Sequence, residues 1–93
     1  MRTIKRTNRF KCDYRREKSG LHGKKLDLLL LPVITLLIED QALPPHAVDH
    51  ALVGSLHDCR DCHIKPDLIL IYRKTDDNAL ELVRLGSHSE LGL

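Results

Sequence analysis

The chain has no apolar run long enough to cross a membrane. Its longest apolar stretch, Leu26 to Ile38, is interrupted by Asp27, Pro32 and Thr35 and falls short of the roughly 20 residues that a membrane helix needs. No apolar segment follows the basic N-terminus, so we expect no secretory signal. The three cysteines are then expected to be reduced, and the sequence predicts a cytoplasmic protein with no membrane partner.

Residues that would support a haem or zinc centre are also scarce. The segment Cys59-Arg60-Asp61-Cys62-His63 matches the C-x-x-C-H haem-attachment pattern. The only methionine is the first residue, and the pattern lies in a predicted strand, so haem is excluded. Zinc is a better candidate than haem, although the cysteines are more simply interpreted as small, semi-buried hydrophobic residues. His57, Cys59, Cys62 and His63 can all bind zinc, but strand alternation places Cys62 on the opposite face from the other three, and no second C-x-x-C exists.

Aromatic residues are few as well, with no tryptophan, one phenylalanine and two tyrosines. The rest of the composition is that of a globular protein, 42% hydrophobic and 30% charged over 93 residues. This length predicts a single domain, residues 1–93, with a modest core.

Charge is distributed unevenly. Residues 1–25 contain ten Lys and Arg against two acidic residues, a net charge of +8. Residues 26–93 contain five Lys and Arg against eleven acidic residues, a net charge of −6. A basic end on an acidic chain indicates either contact with a polyanion or a solvated basic segment.

The N-terminal half is predicted to be a short strand and two helices. Residues 2–6 form the strand, and Thr7 or Asn8 begins a cationic helix that ends near Lys18. The second helix, from about Lys24 to Asp40, has apolar residues nearly all round and should be the buried centre of the core. Pro32 is expected to kink or shorten it. Gln41 to Ser55 is predicted to be a loop.

The C-terminal half is predicted to be an antiparallel meander over residues 56–86. Its strands are Leu56–Ile64, Leu68–Lys74 and Ala79–Leu85, joined by short turns that contain proline, aspartate and asparagine. The predicted class is α+β, with the N-terminal strand and two helices packed on an antiparallel sheet and a short C-terminal tail.

Acidic and histidine side chains are concentrated around the first hairpin. Asp61 and His63 share one face of the predicted strand, and Asp67 lies in the turn that follows. A carboxylate beside an imidazole fixes its tautomer and suits it to acid–base chemistry near neutral pH. The alternative is that these residues make turn hydrogen bonds only. His22 and His46 are interpreted as solvent-exposed, and His57 remains open.

Three motifs together resemble the YafQ-type branch of the RelE/ParE toxin superfamily. They are Asp49-His50-Ala51-Leu52-x-Gly54, the stretch Arg60-Asp61-Cys62-His63-Ile64-Lys65-Pro66-Asp67-Leu68-Ile69-Leu70-Ile71-Tyr72, and Arg84-Leu85-Gly86-Ser87-His88. The resemblance covers about half of the chain in detail, and it implies a RelE/ParE-like fold.

The resemblance also implies a ribosome-dependent endoribonuclease that cuts mRNA and is neutralised by a cognate antitoxin in a higher-order complex. No cofactor or metal is implied, because the ribose 2′-OH attacks the adjacent phosphate. The matching site residues are His50, Asp61, His63, Asp67, Arg84 and His88. The resemblance implies the set and not the individual roles, for which we expect His50 or Asp67 to be the base, His88 the acid, and Arg84 with His63 the phosphate ligands. Phosphates of mRNA and of 16S rRNA in the 70S ribosome are expected to contact Arg84, Arg60, Lys65, Arg9, Lys11, Arg15 and Arg16.

The chain departs from these relatives in its aromatics. Many of them have an aromatic residue soon after the final histidine, where this chain has Gly92, and often a Trp where it has Leu56. Base stacking is therefore weakened. A degenerate relative that binds antitoxin or RNA without cutting is one alternative. A gyrase-directed toxin of the ParE type is another, although it would not use the histidine cluster.

Overall fold

The computed structural model describes residues 1–93 and contains a five-stranded sheet, two principal helices and a short third helix. The strands are β1 (Thr3–Arg6), β2 (His50–Ala51), β3 (Arg60–Lys65), β4 (Leu68–Lys74) and β5 (Ala79–Gly86). The helices are α1 (Asn8–Lys18), α2 (Leu26–Ile38) and α3 (His88–Leu91). No helix combines the length and apolar character needed to span a membrane.

The sheet has the strand order β1-β5-β4-β3-β2. The antiparallel meander of β3, β4 and β5 is confirmed, and so is the α+β class. The N-terminal strand joins this sheet and makes it mixed, because β1 pairs in parallel with β5. A parallel neighbour needs a long connection, and here the two helices and the rest of the meander provide it.

Helix α1 begins where the sequence predicts. Thr7 is its N-cap, and the Thr7 side chain accepts a hydrogen bond from the Phe10 N–H at 3.0 Å. Phe10 is buried and Tyr14 half-buried, with ring centroids 6.3 Å apart, so the narrow apolar stripe packs on the core while the cationic side chains remain outside.

Helix α2 is less buried than its composition suggests. Leu26, Leu30 and Leu37 are buried, but Leu28 is 75% and Leu31 64% exposed. The predicted all-round burial is therefore wrong, because the sheet and α1 cover only part of the helix surface. A 3₁₀ turn at Gly23–Lys25 precedes the helix, which starts at Leu26 and continues through Pro32.

The first strand of the meander starts later than predicted, at Arg60 instead of Leu56. Residues Gly54–Leu56 form a 3₁₀ turn, and Gly54 adopts a φ of 76°, which favours glycine. The predicted loop before it contains β2, which pairs His50 with Asp61 and Ala51 with Arg60. This pairing is too short to give a periodic pattern.

The short C-terminal tail is helical. Ser87 caps α3 by accepting a hydrogen bond from the Glu90 N–H, and the Glu90 side chain accepts one from the Ser87 N–H. This capping box is visible in the sequence as Ser-x-x-Glu. It fixes the backbone of His88, the first of the two residues between them, just after the end of β5.

Alternation along the strands separates a helix-covered face from a polar one. Cys62, Leu70 and Tyr72 belong to the hydrophobic core with the residues of α1 and α2. Asp61 and His63, which alternate with Cys62, lie on the opposite face. The fold therefore presents the polar side chains of β3 on the face away from the two helices.

Candidate active site

His50 and Asp61 face each other across β2 and β3. Nδ1 of His50 lies 2.9 Å from Oδ1 of Asp61 and 2.9 Å from the carbonyl oxygen of Val48. Only the contact with Val48 has hydrogen-bond geometry, so Oδ1 of Asp61 is buried without a hydrogen-bond partner. A buried, incompletely satisfied carboxylate beside an exposed imidazole is costly for folding and is typical of functional sites.

His63, His88 and Asp67 form the second part of the site. The rings of His63 and His88 meet edge to face, with centroids 5.3 Å apart. Oδ1 of Asp67 lies 3.1 Å from Nδ1 of His88 and accepts a hydrogen bond from its backbone N–H at 3.2 Å. Because His63 is two residues beyond Asp61 on one face of β3, the site is a continuous row. We call it the polar row: His50, Asp61, His63, His88 and Asp67.

His88 determines the protonation state of Asp67 within the polar row. The side-chain and backbone hydrogen bonds from His88 hold the pKa of the Asp67 carboxyl below its ordinary value of 3.8, although the group is exposed. Asp67 is therefore a carboxylate at neutral pH, and Nδ1 of His88 must carry the proton that it shares. Nε2 of His88 makes no hydrogen bond within the chain.

Arg84 is held by a residue that sequence reasoning missed. Its Nε lies 2.7 Å and its Nη2 3.3 Å from the carboxylate of buried Asp13 in α1. The Arg84 side chain is only 18% exposed, and Nη1 makes no hydrogen bond within the chain. The structure thus places Arg84 as an anchored cation with one nitrogen available for a ligand.

Asp13 and Arg16 also form hydrogen bonds with the backbone of β5 where β1 no longer pairs with it. Strand β1 pairs with β5 only as far as Leu82. Beyond it, the Leu85 N–H donates to Asp13 at 3.0 Å, and Nη2 of Arg16 donates to the Leu85 carbonyl at 2.9 Å. Arg16, predicted to bind phosphate, is thus engaged in the fold. A Cβ on Gly86 would lie 2.8 Å from Arg16 Nη2, so a side chain at this position would require Arg16 to shift.

Asp49 is a second residue whose role the sequence does not reveal. Its carboxylate accepts hydrogen bonds from the Tyr72 hydroxyl at 2.7 Å and from Nε of Arg60 at 3.1 Å. Tyr72 is buried in the core, so this contact fixes the segment that presents His50. Arg60, also predicted to bind phosphate, is paired with a carboxylate before any ligand arrives.

The fifteen Lys and Arg residues fall into two groups. Eight make ion pairs: Arg2, Lys5, Arg16, Lys18, Arg60, Arg73, Lys74 and Arg84. The other seven make no ion pair within the chain: Arg6, Arg9, Lys11, Arg15, Lys24, Lys25 and Lys65. We call these seven the unpaired cations.

The other residues considered as metal ligands do not come together in one site. Cys59 and Cys62 are buried, and burial raises the pKa of the Cys62 thiol to about 12, whereas a zinc ligand is a thiolate. His57 follows the 3₁₀ turn and is exposed, so the predicted single face of His57, Cys59, Asp61 and His63 is wrong. No group of three or more His, Cys, Asp or Glu side chains is arranged to hold a metal ion.

Comparison with known proteins identifies the family of this chain. Residues 2–92 match the model of a family described as bacterial toxin of type II toxin–antitoxin system, YafQ. The chain belongs to the YafQ family. It is 34% identical over 90 residues to the mRNA interferase toxin YafQ of Escherichia coli K12, covering 95% of this chain and 97% of the relative.

Solved structures of YafQ-like proteins share the fold. The structure of a metal-bound toxin from Helicobacter pylori is 44% identical, with a TM-score of 0.85 over 98% of this chain and 99% of the other. YafQ in the E. coli DinJ–YafQ complex is 33% identical, with a TM-score of 0.79 over 98% of each chain. The predicted fold of the YafQ-type branch is thereby confirmed.

Proposed function

We propose that this YafQ-family protein is an mRNA interferase that cuts mRNA on the ribosome without a metal ion. The ribose 2′-OH attacks the adjacent phosphate and leaves a 2′,3′-cyclic phosphate and a 5′-OH. The observation that carries the proposal is the cluster of His63, His88 and Asp67 on the exposed face of the sheet. The activity of the E. coli relative supports the same reaction class.

His88 is the proposed general acid. The Asp67 carboxylate accepts a hydrogen bond from Nδ1–H of His88, fixes the ring orientation and stabilises the imidazolium form. The Nε2–H then protonates the leaving 5′ oxygen. Asp67 itself is a poor base, because the hydrogen bonds from His88 lower its pKa, and a weaker base accepts a proton less readily.

His50 is the proposed general base. The attacking and leaving oxygens stand on opposite sides of the phosphorus, so the base and the acid must flank the phosphate. The polar row offers this arrangement, with His50 and His88 on either side of His63. His63 and Nη1 of Arg84 then bind the phosphate oxygens as negative charge develops.

The ends of the products test this chemistry. Cleavage of ribosome-bound mRNA is expected to give fragments with a 5′-OH and a 2′,3′-cyclic phosphate. A chelator selective for transition metals, added at constant Mg²⁺, should leave the rate unchanged. Phosphorylation of the new 5′ ends by polynucleotide kinase provides the measurement. Fragments with 5′-phosphates, or loss of cleavage on chelation, would contradict the mechanism.

Binding of a cognate antitoxin is supported by a groove between β1, α1 and α2. The groove has a volume of about 730 Å³ and is lined mainly by apolar side chains: Ile4, Phe10, Tyr14, Leu30, Leu31, Ile34 and Leu82. Three unpaired cations, Arg6, Lys11 and Arg15, and one carboxylate, Asp27, also line it, so its formal charge is +2. We infer that an antitoxin segment combining apolar and acidic residues occupies this groove. Its apolar residues would cover the apolar lining, and its acidic residues would complement the basic side chains. The E. coli relative forms a complex with the antitoxin DinJ.

Replacing Leu31 by glutamate is expected to lower antitoxin affinity by about 10–100-fold, because an interface anchor is removed and a like charge faces the acidic segment. Leu31 is 64% exposed, so the variant should fold. Titration of the purified antitoxin by calorimetry measures the effect. Val53→Glu is the matched control, since Val53 is 88% exposed and lies outside the groove. Equal affinities of the two variants would place the antitoxin elsewhere.

A further inference from the structure

A basic depression adjoins the polar row. Its volume is about 830 Å³, and only two of its nine lining residues are hydrophobic. One wall contains Lys24 and Lys25, from the turn before α2, and the other contains Lys65 and Asp67, from the β3–β4 hairpin. Asp67 contacts His88, so the depression opens beside the proposed general acid.

The charges in the depression suit an anion. Lys24, Lys25 and Lys65 are exposed and belong to the unpaired cations. Asp67 is the only carboxylate in the lining, and its Oδ1 already accepts two hydrogen bonds from His88. The formal charge of the lining is therefore +2 with His22, which also faces the depression, counted as neutral. Lysine clusters of this kind bind phosphate as point charges.

We propose that this depression binds a backbone phosphate of the mRNA strand next to the scissile phosphate, and that Lys24 and Lys25 position the strand for cleavage. This inference rests on the nuclease function proposed above. It assigns a binding role to two lysines that no sequence motif marks. It also gives the strand a contact that does not depend on base stacking, for which the chain has few aromatic residues.

The position of the depression favours mRNA over ribosomal RNA as the source of the phosphate. The other unpaired cations, Arg6, Arg9, Lys11 and Arg15, lie at the end of β1 and along α1 and do not line the depression. Only the depression shares a residue, Asp67, with the polar row. A strand whose scissile phosphate is held by the row can therefore place the phosphate of its neighbouring nucleotide in the depression.

The test compares two variants of equal net charge. Lys24→Ala/Lys25→Ala removes two lysines of the depression, and Lys5→Ala/Lys18→Ala removes two exposed lysines that pair with Asp77 and Asp27. In cleavage of ribosome-bound mRNA, the first variant is expected to raise KM about tenfold while kcat stays the same, because the two lysines bind a phosphate that does not react. The control should keep the KM of the wild type.

Binding of a short 2′-O-methyl RNA oligonucleotide without ribosomes identifies the source of the phosphate. The double variant of the depression should bind it more weakly than the control. The slope of log affinity against log salt should also fall by about 0.7 for each phosphate that the protein no longer neutralises. A structural defect alone would leave this slope unchanged. If the variant binds more weakly only when ribosomes are present, the phosphate belongs to ribosomal RNA and the proposal is overturned.

Equal KM and equal RNA affinity of the two double variants would also overturn the proposal. The nuclease function is judged separately, by the His88→Ala variant of the full chain. If that variant is inactive while the two lysine variants match, the nuclease remains and the phosphate site is rejected.

Discussion

Replacing His88 by alanine is expected to lower the rate constant of mRNA cleavage by about 10²–10⁴-fold, the usual contribution of a positioned general acid. His88 is the first residue of α3, and Ser87 and Glu90 cap this helix without its side chain. Alanine is a good helix former, so the variant should retain its fold. Single-turnover cleavage of ribosome-bound message measures the rate constant directly.

His46→Ala is the matched control, because His46 is an exposed histidine outside the polar row. It should cleave at the wild-type rate. Asp67→Asn should also slow cleavage, since an amide in place of the carboxylate stabilises the imidazolium less well. The double variant His88→Ala/Asp67→Asn should be no slower than His88→Ala alone, because the two residues act as one unit. Additive reductions in rate would show that Asp67 acts independently of His88.

Replacing Asp13 by alanine is expected to lower the free energy of unfolding by about 3 kcal/mol, the lower end for breaking a buried ion pair from one side. Asp13 is 4% exposed and accepts hydrogen bonds from Arg16, Arg84 and the Leu85 N–H. The lower end applies because the Arg16 side chain is 40% exposed and can regain water. Total stabilities of about 5–15 kcal/mol make this a large effect.

Urea denaturation measures this effect, with Asp27→Ala as the control. Asp27 is also paired with a basic residue, Lys18, but its side chain is 64% exposed, so its removal should change the free energy of unfolding far less than the removal of Asp13. An Asp13 variant as stable as this control would refute the structural role of the pair. The Asp13 variant should also cleave more slowly, because Arg84 is no longer anchored.

The free energy of unfolding should depend on pH through Asp13. Burial by itself would raise the pKa of Asp13, but the hydrogen bonds from Arg84 and the Leu85 N–H and the two arginine charges bring it below 3.8. The stabilisation is therefore complete above the unfolded-state value, about 3.9 for an aspartate, and is lost as the pH falls through the lowered pKa. Asp13→Asn should show a weaker loss of stability in acid than the wild type.

The parts of the fold that could be predicted are those with local signals. The hairpins of β3, β4 and β5 follow from apolar strands separated by turn residues, and Thr7 marks the start of α1. The parallel pairing of β1 with β5 could not be predicted, because it joins residues far apart in the chain. The helical form of the C-terminal tail does have a local signal, since Ser87 and Glu90 form a visible capping box.

The candidate site likewise contains features that the sequence predicts and features that only the structure shows. Motif resemblance identifies the five residues of the polar row, and the structure brings them together. Resemblance does not show that Arg84 and Arg16 are both held by Asp13, because the contact between α1 and the edge of β5 has no sequence pattern. In the sequence, Lys24 and Lys25 are likewise only part of the general positive charge, and the fold alone places them beside Asp67.

Primer extension on a translated reporter mRNA, with and without 70S ribosomes, tests the central claim most directly. The account predicts cuts by the wild-type protein only when ribosomes are present, and no cuts by His88→Ala. Equal cleavage of free RNA would contradict ribosome dependence. Absence of cleavage by the wild-type protein in both conditions would contradict the nuclease itself and favour a relative that only binds antitoxin or RNA.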